Sequence, residues 1–287
     1  MLTLSLVTLL WAFSFSLIGV YLSADVDAYI AVFIRMLLAF LLLLPFLKTS
    51  YITKRKAISL TFLGAIQIGI MYILLYHAFN YISIAEVLLF TVFTPLYITL
   101  TDELLINKKA LPWQWWGAAL LAVCGAAIIR YENISEGFIY GFLLIQGANI
   151  CFALGQVGYK RLPLGNPKEQ RQVYALFFLG ALLVSAIAAL LFADWSRSPQ
   201  TTMQWGVLLW LGLVASGVGY LAWSIASKQV NTGQLATMNN VLIPAGLLIN
   251  FIFWGSDINW IKLFLGGIII GLGVLLAGSR VRLISKA

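Results

Sequence analysis

VFIRMLLAF, residues Val32 to Phe40, decides the class of this protein because it sets one cation inside an apolar run. Eight of the nine residues suit the interior of a lipid bilayer, and the ninth is Arg35. An arginine at membrane depth costs roughly 2.5–3.5 kcal/mol on insertion scales, so it must face a cavity or a partner inside the protein. The stretch therefore predicts a membrane span that carries an inward-facing cation.

The composition of the whole chain predicts an all-α integral membrane protein. Of the 287 residues, 62% are apolar and only 10% are charged, and the mean hydropathy is +0.96. Soluble domains contain roughly 25% charged residues. The net charge of +8 comes from short clusters of Lys and Arg between apolar runs. This pattern is typical of loops between membrane spans and argues against nucleic-acid binding.

Ten apolar runs have the length of about 20 residues that a transmembrane helix needs. Predicted spans one to ten cover residues 2–22, 28–47, 58–77, 82–101, 114–130, 137–159, 173–193, 204–226, 233–254 and 260–279. All but four of the 18 Lys and Arg residues then fall on one side of the membrane. Arg35 lies inside a span, and Arg130, Arg197 and Lys262 lie on the opposite side. The positive-inside rule therefore predicts that both termini are cytoplasmic.

The sequence also contains an internal repeat. The third span reads Gly69-Ile-Met-Tyr72, and the eighth reads Gly217-Val-Gly-Tyr220, about 148 residues later. A proline follows each tyrosine, at 23 and 24 residues, in the next span along the chain; these are Pro95 and Pro244.

The repeat divides the chain into two halves of five spans, residues 1–131 and 132–287. Because five is odd, the second half must run inverted relative to the first. Inverted repeats with a central site between them are typical of secondary transporters, which alternate access by moving one half against the other. A scaffold or assembly factor has no need of inverted halves.

Four stretches resemble a known family of transporters. They are LLWAFSF (Leu9 to Phe15), FIRMLLAFLLLLPFL (Phe33 to Leu47), TPLYITL (Thr94 to Leu100) and IPAGLLINF (Ile243 to Phe251). They look like the first, second, fourth and ninth spans of the EamA-type branch of the drug/metabolite transporter superfamily. The resemblance extends over essentially the whole chain and implies a ten-helix transporter of the bacterial inner membrane that needs no cofactor.

Within that branch, LLFTVFTPLYITL, IIRY, VGYKRL and MNN followed by PAGLL are similar to biotin-carrying members of the carboxylate/amino acid/amine transporter group. This likeness implies uptake of biotin or a related amphipathic carboxylate. Export of amino acids or other metabolites on the same fold is the alternative, because only the resemblance favours import. One departure is Asn107-Lys108-Lys109, where the family usually has a Gly-Glu-Arg type of ending after the fourth span.

Arg35 and Glu86 are the main candidates for charged chemistry inside the membrane. Arg35 lies about seven residues into the second span, on the order of 10 Å below its boundary. Its guanidinium could hold a substrate carboxylate through two hydrogen bonds, or it could form a structural pair. Glu86, near the start of the fourth span, is the natural partner in that pair. It could instead carry a coupling proton, and His77, the only histidine, is a second candidate for that role.

The remaining candidates are polar, aromatic and proline residues. Trp11 and Tyr72 are expected to form walls of the pocket. Asn239 and Asn240 are adjacent, so at least one faces the interior, where it either contacts polar groups of the substrate or bonds to another helix. Pro95 and Pro244 lie in mid-span and are candidate hinges, or tolerated kinks.

Two alternatives have less support from the sequence: a transporter driven directly by ATP, and an intramembrane enzyme. No Gly-x-x-x-x-Gly-Lys loop occurs, so ATP is not expected to drive transport directly. An intramembrane lipid-modifying enzyme would need clustered acids for a metal, or a nucleophile beside a base. One histidine and well-separated acids do not supply these, so no metal site and no enzymatic activity are expected. The expected partners are a small-molecule substrate, the lipid bilayer and a candidate coupling proton, with the chain as a monomer or a homodimer.

Overall fold

The computed structural model describes residues 2–102, 136–230 and 232–255, with isolated positions at 121, 124 and between 261 and 272. These residues form helices joined by short turns, and no β-strand occurs among them. Predicted spans five and ten fall outside the continuously described ranges, as do the side chains of Asn240 and Pro244.

Six helices are long and apolar enough to cross a membrane: Leu2–Tyr21, Ala28–Phe46, Lys54–Ala78, Gly137–Arg161, Pro167–Phe192 and Thr202–Ser227. They coincide with predicted spans one, two, three, six, seven and eight. Two shorter apolar helices, Ile84–Leu100 and Val241–Trp254, coincide with predicted spans four and nine. The protein is therefore an all-helical, multi-pass membrane protein, as its composition predicts.

Several spans consist of more than one helical segment. The third is made of Lys54–Gly64, a π-helical turn at Ala65–Ile70, and Met71–Ala78. The fourth is made of Ile84–Phe90, a 3-10 turn at Thr91–Phe93, and Thr94–Leu100. The eighth is made of Thr202–Leu209, a π-helical segment at Trp210–Val218, and Gly219–Ser227. The sixth, seventh and ninth contain Glu136–Arg161, Pro167–Val173 with Ala175–Phe192, and Thr232–Trp254.

Polar residues in the short connections begin three of these helices. Asp27 accepts hydrogen bonds from the backbone N–H groups of residues 29 and 30 at the start of the second span. Ser83 with Glu86, and Thr201 with Gln204, form capping boxes at the starts of the fourth and eighth spans. Each cap satisfies backbone donors that have no partner within the helix, and it therefore sets where the span starts.

The break in the fourth span comes from Pro95, which has no N–H to donate to the preceding turn. In a regular helix Pro95 would donate to the carbonyl of Thr91, which accepts instead from the N–H of Thr94 in a 3-10 turn. The carbonyl of Phe90 accepts a hydrogen bond from Asn149 Nδ2 at 2.9 Å. A side chain of the sixth span thus bonds to the backbone of the fourth span at the break.

The spans pack so that helices from both ends of the chain surround a common centre. The first span lies against the eighth and ninth, and the second lies between the seventh and eighth. The third contacts the sixth and seventh, and the fourth contacts the sixth. Large apolar side chains such as Leu190, Leu191 and Phe192 remain exposed on the outside. This surface suits lipid tails rather than water.

Candidate functional site

A cavity lies at the centre of the helix packing. It encloses about 630 Å³ of unoccupied space, including the part open to the surroundings. Four of the five residues predicted to bind substrate line it, namely Trp11, Arg35, Tyr72 and Asn239. The side chain of the fifth, Asn240, lies outside the described part of the structure.

Arg35 is the charged group of this cavity, and it is 1% exposed. Its Nε donates to Ser216 Oγ at 2.6 Å, and its terminal nitrogens donate to the hydroxyls of Tyr72 at 2.7 Å and Tyr76 at 3.5 Å. The guanidinium carbon also lies 3.9 Å from the centroid of the Tyr72 ring. All of these partners are neutral, and no acidic side chain among the described residues forms an ion pair with the arginine. Its charge is solvated by hydroxyls and a ring face, not neutralised.

The two π-helical segments position the partners of this arginine. Ser216 lies within the segment of the eighth span, and Tyr72 is the second residue after the segment of the third. A π turn shifts the helical register, so side chains beyond it point in a direction that a regular helix would not give them. The eighth span also leaves the carbonyl of Ala215 available, and Trp11 Nε1 donates to it at 3.0 Å.

Aromatic rings form one wall of the cavity. The Trp11 ring lies 4.6 Å from that of Tyr220, 4.8 Å from that of Trp223 and 6.2 Å from that of Phe152, centroid to centroid. The rings of Tyr72 and Tyr220 are 6.1 Å apart and nearly perpendicular. Edge-to-face arrangements of this kind are the favourable geometry for aromatic pairs. They give the cavity a rigid apolar face beside the cation.

Amides and hydroxyls form the polar part of the lining. Thr94 donates to Asn149 Oδ1 at 3.1 Å, and Asn149 Nδ2 is shared between the Phe90 carbonyl and, at 3.4 Å, Gln146. Asn239 Nδ2 donates to the carbonyl of Leu235 within its own span at 3.0 Å. These residues can exchange such bonds for bonds to a polar ligand group.

Glu86 and Arg35 do not form a hydrogen bond or an ion pair with each other. Its carboxylate folds back to the start of its own helix, where Oε2 accepts from the backbone N–H of Ser83 at 2.8 Å and from its hydroxyl at 2.9 Å. The helix of the fourth span begins only two residues earlier, at Ile84, so Glu86 lies shallower than Arg35, seven residues into the second span. The static Arg35–Glu86 pair, one of the two alternatives drawn from the sequence, therefore does not form in this structure.

His77 lies near the end of the third span, away from the cavity lining. Its ring is 4.6 Å from that of Tyr29, and its Nε2 is buried without a hydrogen-bond partner among the described residues. Of the two candidate hinges, Pro95 coincides with the break of the fourth span. The backbone at Pro244 is helical within Thr232–Trp254.

Sequence reasoning did not assign Ser216 to the site. The spacing of two small residues, Gly212 and Ser216, four positions apart is typical of close helix packing. Ser216 is indeed buried between helices. For Tyr220 the sequence does offer a signal of a place in the site, because the internal repeat aligns it with Tyr72. No local pattern distinguishes a serine that packs from one that also holds a guanidinium.

Comparison with known proteins decides the class of this site. A profile of the EamA-like transporter family matches residues 1–131 and 139–279. The chain belongs to the EamA-like transporter family. This EamA-like transporter is 48% identical over 268 residues to a protein named biotin transporter in Salmonella typhimurium, covering 93% of this chain and 89% of that protein. The Escherichia coli K12 protein of the same name is 46% identical over 267 residues, with the same coverage.

A Pseudomonas aeruginosa protein named probable biotin transporter is 48% identical over 268 residues, or 92% of each chain. A solved crystal structure has the same fold as this EamA-like transporter, with a TM-score of 0.67 over 97% of this chain and 98% of that one, at 17% identity. The relatives are named as transporters and not as enzymes. The protein is thus a membrane transporter, and the intramembrane enzyme that the sequence analysis weighed has no support among them.

Proposed function

We propose that this transporter imports biotin, or a related amphipathic carboxylate, across the bacterial inner membrane by alternating access. The names of three relatives at 46–48% identity support the substrate. The observation that carries the proposal is the buried Arg35 at the cavity, whose hydrogen-bond partners are all neutral.

An unneutralised guanidinium in this position suits an anionic substrate. Of its five N–H groups, three donate to Ser216, Tyr72 and Tyr76, which leaves two for a ligand. Two guanidinium donors match the two oxygens of a carboxylate. Bringing that carboxylate into the cavity would also relieve the cost of the isolated buried charge.

The rest of the lining suits the ring system of such a molecule. Trp11, Tyr220 and Phe152 offer an apolar face, and Asn149 and Asn239 offer donors and acceptors for a ureido group. A mostly apolar pocket with a few placed polar groups is the usual form of a small-molecule site. Trp11, Arg35, Tyr72 and Asn239, with Asn240, are the proposed substrate-binding residues.

For the fold, we infer ten spans in two inverted halves, residues 1–131 and 132–287. The family profile matches in two blocks that correspond to this division. Under the repeat, spans one, two and three correspond to spans six, seven and eight. The contact between spans three and seven then corresponds to the contact between spans eight and two. The contact between spans three and six likewise corresponds to the contact between spans eight and one. In each half, the repeated tyrosine, Tyr72 or Tyr220, is the second residue after a π-helical segment.

For the orientation and coupling, we infer cytoplasmic termini and a proton as the candidate driving ion. The alternation of Lys and Arg along the chain supports the orientation. His77 is the coupling candidate with an unpartnered ring nitrogen, whereas the Glu86 carboxylate caps a helix. Pro95 and Pro244 are the proposed hinges, and the protein acts as a monomer or a homodimer.

The test is uptake of labelled biotin by cells that lack both biotin synthesis and their own importer. Expression of the protein should restore growth on low biotin and saturable uptake, with competition by carboxylate analogues and little by amino acids. Protein present in the membrane without growth or uptake would exclude biotin as the substrate. Export of amino acids, the alternative on this fold, predicts instead that loaded cells release amino acid faster when they express the protein.

A further inference from the structure

A second cavity lies farther along the fourth, sixth and ninth spans, which also line the central cavity. It encloses about 560 Å³ of unoccupied space, including the part open to the surroundings, compared with about 630 Å³ in the central cavity. The polar residues of its described lining are Asp102, Gln156, Lys160 and Arg161. Three of these four carry a charge, whereas Arg35 is the charged group of the central cavity.

The two cavities follow one another along the same three helices. On the fourth span the lining passes from Thr94 to Asp102, and on the sixth it passes from Phe152 to Gln156. The Phe152 to Gln156 step is one helical turn, or about 6 Å of rise. The two cavities thus form successive stages of one path toward the end of the molecule that carries Lys160 and Arg161.

A small apolar cluster separates the stages. Ile98, Ala153 and Val157 are buried and pack together as a group separate from the main core, with Tyr97 against them. Ile98 and Val157 also line the second cavity. A hydrophobic constriction along a path is one way in which membrane proteins exclude water and ions.

The second cavity contains donors suited to an anion. Gln156 is 2% exposed, its Oε1 accepts from Trp223 Nε1 at 3.3 Å, and its Nε2 has no partner among the described residues. Lys160 Nζ donates to the carbonyl of Val230 at 2.8 Å, which leaves two of its three protons. Arg161 pairs with Asp102 through Nε at 3.1 Å and through a terminal nitrogen.

We propose that the second cavity is a carboxylate site, in which Gln156 Nε2, Lys160 and Arg161 receive the substrate anion after it passes the constriction of Ile98, Ala153 and Val157. Among the described lining residues, Lys160 and Arg161 are cations and Asp102 is a carboxylate. An incoming carboxylate competes with Asp102 for Arg161, so its arrival also loosens a link between the fourth and sixth spans. The proposal rests on the proposed function in taking the cargo to be a carboxylate.

Binding of labelled pentanoate to the purified full-length protein in lipid nanodiscs tests this site. Pentanoate is a short carboxylate without a ring system, so it reports on the anion site whether or not biotin is the cargo. Lys160→Met and Gln156→Leu should each weaken one salt-sensitive binding event about tenfold, the loss expected for one charge-assisted hydrogen bond. Asp102→Asn, which removes the carboxylate that competes with the ligand, should strengthen the same event, and a misfolded variant cannot produce that change. Lys168→Met, at an exposed lysine in the first turn of the helix Pro167–Val173, is the matched control.

Biotin uptake provides a separate readout. Lys160→Met should lower the maximal uptake rate without raising the KM for external biotin, because external biotin reaches the central cavity first and the change slows only a later step. Pentanoate binding that is equal in wild type, Lys160→Met, Gln156→Leu and Asp102→Asn would overturn the second site, even if biotin uptake is normal. A failure of biotin uptake with the expected pentanoate pattern would instead overturn biotin as the cargo and leave the anion site standing.

Discussion

At the scale of single residues, Arg35 is the most informative position in the chain. The sequence requires an inward-facing cation, and the structure surrounds it with Ser216, Tyr72 and Tyr76. Hydroxyl groups can rotate to accept from the arginine when the cavity is empty and to donate to a ligand when it is filled. The same residue can therefore hold the helices together and bind an anion, at different stages of transport.

Arg35→Lys tests the bidentate role. Lysine keeps the charge but lacks the planar fork, so uptake of biotin should fall at least about tenfold. Uptake of the uncharged biotin amide should change less, and initial rates with the two labelled compounds provide the measurement. Arg171→Lys, at an exposed arginine, is the control. Equal losses for acid and amide at normal protein abundance would contradict carboxylate binding by Arg35.

Substitutions at Glu86 test whether its role is structural. Glu86→Gln should leave the melting temperature nearly unchanged, because glutamine also completes a capping box. Glu86→Ala should lower the free energy of unfolding by about 1 kcal/mol through loss of the cap. The double variant Arg35→Met with Glu86→Gln should melt no higher than Arg35→Met alone. Recovery of stability in that double variant would show a coupling of the two charges that the contacts do not contain.

At the scale of elements, the third and seventh spans depend on glycine for their approach. A Cβ at Gly64 would overlap the carbonyl of Phe177, and a Cβ at Gly180 would overlap the carbonyl of Thr61. Both obstacles are backbone atoms, which cannot rotate away. Close approach of backbones through small residues is a main source of helix association in lipid, where the hydrophobic effect is absent.

Gly64→Ala and Gly180→Ala should therefore lower the free energy of unfolding by about 2 kcal/mol or more, because overpacking must separate the two spans. Gly206→Ala is the matched control, since a Cβ there meets no atom within 4 Å. It should be neutral or slightly stabilising. Melting temperatures in one detergent give the comparison, and a Gly64→Ala protein as stable as Gly206→Ala would contradict the close contact.

Lys228 links the end of the eighth span to the end of the sixth. Its Nζ donates to the carbonyls of Lys160 at 3.1 Å and Leu162 at 2.6 Å, groups that the sixth-span helix leaves unpaired at its C-terminus. Partial burial of the amine, and then the nearby charge of Lys160, lower the pKa of Lys228 to about 8. The unfolded side chain titrates near pH 10.4.

Between these two pKa values the unfolded chain binds a proton at Lys228 that the folded chain does not. The contribution of Lys228 to the free energy of unfolding therefore increases as the pH rises from about 8 to about 10. The difference in melting temperature between wild type and Lys228→Met should shift in favour of wild type over this range. A difference that stays constant, or shifts the other way, would exclude a lowered pKa at this lysine.

At the scale of the whole molecule, helices from both parts of the chain line both cavities. Spans four, six and nine border the central cavity and the second cavity, with the cluster of Ile98, Ala153 and Val157 between them. A motion that separates spans four and six would open this cluster. Alternating access then requires only that the opposite end closes in the same motion.

Reporter fusions test the proposed topology of the whole chain. Green fluorescent protein fused after Ala287 and before Met1 should fluoresce in both cases, because it folds in the cytoplasm. Alkaline phosphatase inserted at residue 197, between the seventh and eighth spans, should be active, since that loop is expected on the outer side. Phosphatase activity at the C-terminus would contradict an even number of spans.

The sequence by itself determined the all-helical membrane class, the positions of eight of the ten predicted spans and the presence of an inward-facing cation. These properties follow from hydropathy, span length and local caps such as Ser83 with Glu86, which involve residues close in the chain. It also grouped Trp11, Arg35, Tyr72 and Asn239, because repeats and costly polar residues in spans are visible as patterns.

Only the tertiary structure decided what Arg35 binds. Its shortest hydrogen bond reaches Ser216, which is 181 residues away in the chain. It depends on a π-helical register shift that hydropathy does not encode. Charge and depth made Glu86 an equally reasonable partner, but the helix that starts at Ile84 uses its carboxylate as a cap. A contact between distant spans depends on where each helix starts and how it is wound, and those details exist only after the spans have packed.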